Sequence, residues 1–144
     1  MQTLQQKTSL VKFEKIEAKM DSNFLLDSCV WIGYFTGDTP KAKEIIDSDK
    51  NNNFTSVLSI FEFMIKLKMM KLPQIIINNM VEVIEENSTI IEINTEIAKK
   101  ASSNSKKYNL FAVDSLLYTT AEIEGITFVT ADKHFLTTPN TILL

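Results

Sequence analysis

Short apolar runs alternate with longer segments of helical periodicity from Phe24 onward, and this alternation limits the fold more than any other feature of the chain. The runs at 24–26, 53–57, 89–93, 126–130 and 141–144 are too brief to make stable helices and read as strands. The segments between them, at 40–48, 58–70, 73–86, 96–108 and 111–124, have helical character. Parallel neighbours in a sheet need a crossover connection, and the intervening helices supply it. The pattern predicts an α/β fold, a three-layer α/β/α sandwich with a central, mainly parallel sheet. Local punctuation agrees. Thr39 is placed to cap a helix that has Pro40 at its first position, and Pro73 opens a later helix in the same way. Asn51, Asn52 and Asn53 make a polar turn, and Gly125 is the left-handed residue that closes a helix before Ile126.

A chain of 144 residues accommodates one domain, at 22–144, with 1–21 as an N-terminal extension of uncertain structure. The hydrophobic fraction of 44% is enough for a core without covalent staples. Cys29 is the single cysteine and has no partner for an internal disulfide. Neither a secretory apolar region nor a run long enough to span a bilayer is present, so the expectation is a soluble, cytoplasmic protein without membrane attachment. In the extension, Leu10, Phe13, Ile16 and Met20 fall on one helix face, which reads either as a helix that docks on a partner or as a frayed extension, or a stretch upstream of a true start at Met20. The net charge is −3 and all 15 basic residues are lysine. That excludes a broad basic surface for nucleic acid and bidentate arginine recognition of phosphate. Any RNA contact has to be local and helped by metal.

In an open parallel sheet, ligands bind in the crevice outside the carboxyl ends of the strands. Asp27 directly follows the run 24–26, and Asp132 lies just beyond 126–130. Both face one crevice if their strands are neighbours, although each alone also reads as a helix cap or turn aspartate. Asp114 has Leu110, Phe111, Leu117 and Tyr118 at helical spacing, so its carboxylate lies beside an apolar stripe and calls for a compensating cation. The plainer alternative is that Asp114 begins its helix, where the macrodipole favours an acid. Glu62 shares a narrow polar stripe with Ser59 and Lys66 on a helix expected to be buried on most sides; a surface Glu62–Lys66 ion pair is the plainer reading. Like charges 4 Å apart cost about 4 kcal/mol per pair at an effective dielectric of 20, so four converging acids persist only around cations. Oxygen donors without a Cys or His cluster favour Mg²⁺ or Mn²⁺ over zinc. The lone histidine, His134, cannot form a zinc site by itself and reads as an exposed or packing residue, with substrate contact as the alternative.

These residues match a known pattern. The stretch Phe24 to Ile32, FLLDSCVWI, resembles the first strand and following turn of PIN domains, and Ser56 to Glu62, SVLSIFE, resembles their second strand running into the helix that carries a glutamate. Leu110 to Ala121, LFAVDSLLYTTA, and Gly125 to Phe135, GITFVTADKHF, resemble the third acidic helix, the fourth strand and the Thr-x-Asp-x-x-Phe signature of VapC-like toxins. The resemblance covers roughly residues 22–144. It implies a PIN-like, Rossmann-like fold and a Mg²⁺- or Mn²⁺-dependent endoribonuclease, the toxin of a toxin–antitoxin pair. It further implies Asp27, Glu62, Asp114 and Asp132 as the catalytic acids, with Asp27, Asp114 and Asp132 as metal ligands and Thr130 as a hydrogen-bonding support. Ser28 reads either as assisting near the metal or as capping. One departure stands out: many relatives carry Asn or Ser two positions after the first aspartate, where this chain has Cys29, so a polar contact is expected to be missing. Cys29 itself reads as a small packing residue and not a nucleophile.

The mechanism that follows is metal-assisted, in-line hydrolysis of an RNA phosphodiester leaving a 5′-phosphate and a 3′-hydroxyl. Glu62 positions the attacking water. Lys66, Lys68, Lys99, Lys100, Lys106, Lys107 and Lys133 are available for phosphate contacts, although most read as solvated surface. The resemblance also implies an antitoxin segment that blocks the crevice and a homodimer through the early helices. Two other classes compete: a non-catalytic PIN-like interaction module, and a Mg²⁺-dependent phosphotransfer domain. The second is disfavoured because Cys29 stands where such phosphatases need a second aspartate, and because the third strand region offers only Glu92.

Overall fold

The computed structural model describes residues 3–6 and 22–144, so the helix face expected from Leu10, Phe13, Ile16 and Met20 lies outside the described residues. From residue 23 the elements run β1 (Asn23–Leu26), α1 (Ser28–Thr36), α2 (Pro40–Asp47), β2 (Asn52–Ser56), α3 (Val57–Met69), α4 (Gln74–Asn87), β3 (Thr89–Ile91), α5 (Thr95–Tyr108), α6 (Ala112–Glu124), β4 (Thr127–Thr130) and β5 (Thr141–Leu143), with a 3₁₀ turn at Lys133–Phe135. The strands form one sheet in the order β3-β2-β1-β4-β5, and every pairing is parallel. This is the three-layer α/β/α arrangement expected from the alternation.

Strands covered on both faces have to be apolar on both, and β1 shows it. Phe24 and Leu26 join Val30, Trp31, Ile45, Phe63, Ile77 and Ile84 in a core built with α1 to α4. Leu25 turns the other way, to Leu117, Tyr118, Ala121, Phe128 and Phe135. α5 packs outside this second layer, against α6.

One element was not foreseen. α1 buries Ser28, Val30, Trp31 and Gly33, and its segment SCVWIGYFT has too little polar contrast to show helical periodicity. It also depends on a close approach: a Cβ on Gly33 would lie 2.3 Å from Thr39 Oγ1. Thr39 is the N-cap of α2 with Pro40 behind it, as expected, but its side chain makes no capping bond. Pro73 is the cap of α4 and not its first helical residue. Val57 belongs to α3 and not to β2, because Ser56 Oγ accepts from Leu58 N at 3.1 Å and starts the helix there. Gly125, with φ 67°, closes α6 as read from the sequence.

α3 corrects a further expectation. Ser59, Phe63 and Leu67 are its buried residues, while Phe61, Ile65 and Met69 are exposed at four-residue spacing. The helix is therefore buried along one face only. Among the described residues, no helix is long and apolar enough to cross a membrane.

Candidate active site

The chain adds β2 and β3 on one side of β1 and then β4 and β5 on the other. That reversal opens a crevice between the carboxyl ends of β1 and β4. The two strands are hydrogen-bonded neighbours, with Leu26 opposite Val129, so Asp27 and Asp132 emerge at the same edge.

Asp27 is buried and caps α1. Its Oδ1 accepts from Ser28 N at 2.7 Å; its Oδ2 accepts from Thr130 Oγ1 at 2.8 Å and from Cys29 Sγ at 3.5 Å. Asp132 caps the 3₁₀ turn, with Oδ1 accepting from His134 N at 2.9 Å, and its own N–H donates to Thr130 Oγ1 at 3.0 Å. The plainer capping roles of both aspartates are thus real, and they coexist with the cluster: one buried hydroxyl, that of Thr130, ties the two together.

Asp114 lies in the first turn of α6 and so does begin its helix. Of its four neighbours, Leu110, Leu117 and Tyr118 are buried, whereas Phe111 is 71% exposed. Its carboxyl is held above the usual range, first by burial and then by the charges of Asp132 and Asp27. Glu62 is half-buried and is raised by burial and by Asp27, with smaller contributions from Asp114 and Asp132. The four acids therefore stand within electrostatic reach of one another, although their segments are scattered over the chain.

Lys66 does not pair with Glu62. Its Nζ donates instead to Ser28 Oγ at 3.0 Å, and its charge lowers the proton affinity of both Glu62 and Asp114. Two of the other lysines considered for phosphate contact are engaged elsewhere, Lys100 with Glu122 at 2.7 Å and Lys107 over the Tyr108 ring. Cys29 fills the polar position expected to be empty, since its sulfur lies 3.5 Å from Thr130 Oγ1 and accepts from Ala131 N at 3.2 Å. Burial, then the Asp27 charge, pushes its thiol up to about 11, so it stays protonated at neutral pH and is a poor nucleophile.

His134 is exposed and packs its ring edge-on against Phe111 at 5.4 Å, as the plainer reading had it. Its Nδ1 also lies 3.3 Å from Asp132 Oδ1 and 3.9 Å from Asp114 Oδ2, contacts the sequence reading did not foresee. Asp114, Asp132 and His134 each offer a donor atom within 4.8 Å of the others. The available signal was its position two residues after Asp132 in a tight turn.

Among curated proteins the sequence finds no match. Solved structures do match in fold. A toxin–antitoxin complex from Klebsiella pneumoniae aligns with a TM-score of 0.68 at 21% identity, over 82% of this chain and 94% of that one. VapBC2 from Rickettsia felis, bound to a DNA fragment from its promoter, aligns at 0.65 and 16% over 85% and 97%. The Mycobacterium tuberculosis toxin VapC20, described as cleaving the sarcin-ricin loop, aligns at 0.65 and 13% over 81% and 95%. The PIN domain family model matches residues 24–140, the span that contains all four acids and the strands that carry them together. The chain belongs to the PIN domain family.

Proposed function

We propose that the protein is a divalent-metal-dependent endoribonuclease, the toxin of a toxin–antitoxin pair acting in the cytoplasm. The observation that carries this reading is the convergence of Asp27, Glu62, Asp114 and Asp132 at one sheet edge, with Glu62 and Asp114 held protonated more readily than ordinary carboxylates. Such a set is repulsive when empty and suits a hard divalent cation, Mg²⁺ or Mn²⁺. Asp114 and Asp132 would hold the ion directly, and Asp27 directly or through water, since hydrogen bonds already occupy both of its oxygens. A bound ion of this kind acidifies water and offsets charge building on the phosphate.

The protein's own groups do the rest. Glu62, on α3, orients the attacking water and takes its proton. Thr130 and Ser28 fix Asp27, the first through its hydroxyl and the second through its backbone N–H. Lys66, held at the crevice by Ser28, contacts a phosphate of the RNA. In-line attack leaves a 5′-phosphate and a 3′-hydroxyl.

The partner reading rests on the neighbours, several of which are toxin–antitoxin complexes. An antitoxin segment presenting a basic side chain to the carboxylates would close the crevice, and a homodimer through the early helices would pair two such units. The test is cleavage of single-stranded RNA by nuclease-free protein. Activity should require Mg²⁺ or Mn²⁺ and stop in excess EDTA; undiminished cleavage in EDTA overturns the metal mechanism.

A further inference from the structure

His134 is placed as deliberately as the acids beside it. Asp132 opens the turn Lys133–Phe135 and accepts the His134 N–H, which fixes the backbone of the histidine relative to the carboxylate. Phe135 anchors the turn from below, fully buried and 4.8 Å from Phe128. On the outer side, Phe111 spends 71% of its surface in water, and its ring contact is with the His134 imidazole. An exposed phenylalanine that contributes so little to the core is accounted for if it backs the histidine ring. The result aims Nδ1 between two carboxylates carried by different elements, α6 and the turn after β4.

We infer that His134 is a nitrogen ligand of the metal site, beside Asp114 and Asp132, and that it makes the site prefer a first-row transition ion such as Mn²⁺ to Mg²⁺. The inference rests on the metal-site reading above. Metal–nitrogen and metal–oxygen bonds in such sites are about 2.1 Å, so two donors on one ion lie at most about 4.2 Å apart. The separations from Nδ1, 3.3 and 3.9 Å, already satisfy that limit. The widest spacing in the trio, at most 4.8 Å, needs to close by only about half an ångström. Imidazole binds through a neutral nitrogen, so the ring proton sits on Nε2 when Nδ1 coordinates. Mg²⁺ is best served by oxygen and water, whereas imidazole gains strength along the first transition row.

His134 is the chain's only histidine, which makes the test unambiguous. Untagged, full-length protein is loaded with Mn²⁺ and examined by electron spin-echo envelope modulation, alongside calorimetric titrations with Mn²⁺ and Mg²⁺. Directly bound imidazole nitrogen should modulate the Mn²⁺ signal in wild type and vanish in His134→Ala and His134→Gln. Mn²⁺ affinity should fall roughly tenfold or more in both variants, the scale on which metal sites respond to losing even an outer partner, with a smaller change for Mg²⁺. If Mn²⁺ binds wild type without nitrogen modulation and equally well in the variants, the histidine assignment is overturned and the carboxylate site stands. If wild type binds no Mn²⁺ at all, the metal-site reading falls with it.

Discussion

Thr130 and Asp27, 103 positions apart in the chain, share a 2.8 Å hydrogen bond in which the threonine hydroxyl donates to Asp27 Oδ2. The same hydroxyl accepts the Asp132 N–H at 3.0 Å, so one buried oxygen ties together two acids that lie just past the ends of neighbouring strands. Thr130→Val keeps the shape but removes the donor, leaving Oδ2 with the weak Cys29 thiol and the Asp132 N–H with nothing from this side chain. The expected loss is about 1–3 kcal/mol in urea unfolding, the cost of a buried polar group left unmet. Thr130→Ser should recover most of it, together with RNA cleavage. A valine variant as stable and as active as wild type shows that the tie is dispensable.

Asp114 tests site against scaffold. Its carboxyl and that of Glu62 bind protons more tightly in the folded protein than in the unfolded chain. Between the ordinary carboxylate value of about 4 and the raised folded values, the native state holds more protons, so metal-free stability falls as pH rises through that window. Below it the penalty vanishes. Asp114→Asn forfeits about 0.3–1 kcal/mol of favourable helix-dipole interaction but escapes repulsion of up to about 4 kcal/mol per close pair before screening. At pH 7 without metal, the variant should therefore melt at or above the wild-type temperature, and the gap should close as pH is lowered past about 4. Mg²⁺ should stabilise wild type by linkage and the variant less, while cleavage drops by orders of magnitude. A variant that melts far lower, responds normally to Mg²⁺ and still cuts RNA makes Asp114 a helix-opening residue only.

Lys66 is a cation that both Glu62 and Asp114 feel, at Asp114 after His134. Replacing it in Lys66→Gln should raise the proton affinity of Glu62 and Asp114 further, since its charge now lowers both. Because the side chain is exposed, stability should change by less than about 1 kcal/mol. RNA binding should weaken, and the slope of log affinity against log salt should shrink by about 0.7, the value for one contact to a single-stranded phosphate. An unchanged slope removes Lys66 from the RNA interface.

How much of this was legible beforehand follows from range. Strand and helix boundaries depend on periodicity and on residues such as Ser56, Pro40 and Gly125, which act within a turn of themselves; the sequence placed most of them within one or two positions. α1 escaped because SCVWIGYFT is apolar on nearly every side, and periodicity needs a polar face to register. The four acids were recognisable as types at strand ends and on helices. What only the tertiary structure decided is how they meet: the sheet order sets β4 beside β1, Thr130 bridges Asp27 to Asp132, Lys66 reaches Ser28 and not Glu62, and His134 turns toward two carboxylates. Those contacts join segments up to about a hundred residues apart, and their geometry depends on which strands pair and on where each side chain finds its partner, quantities that no local pattern encodes.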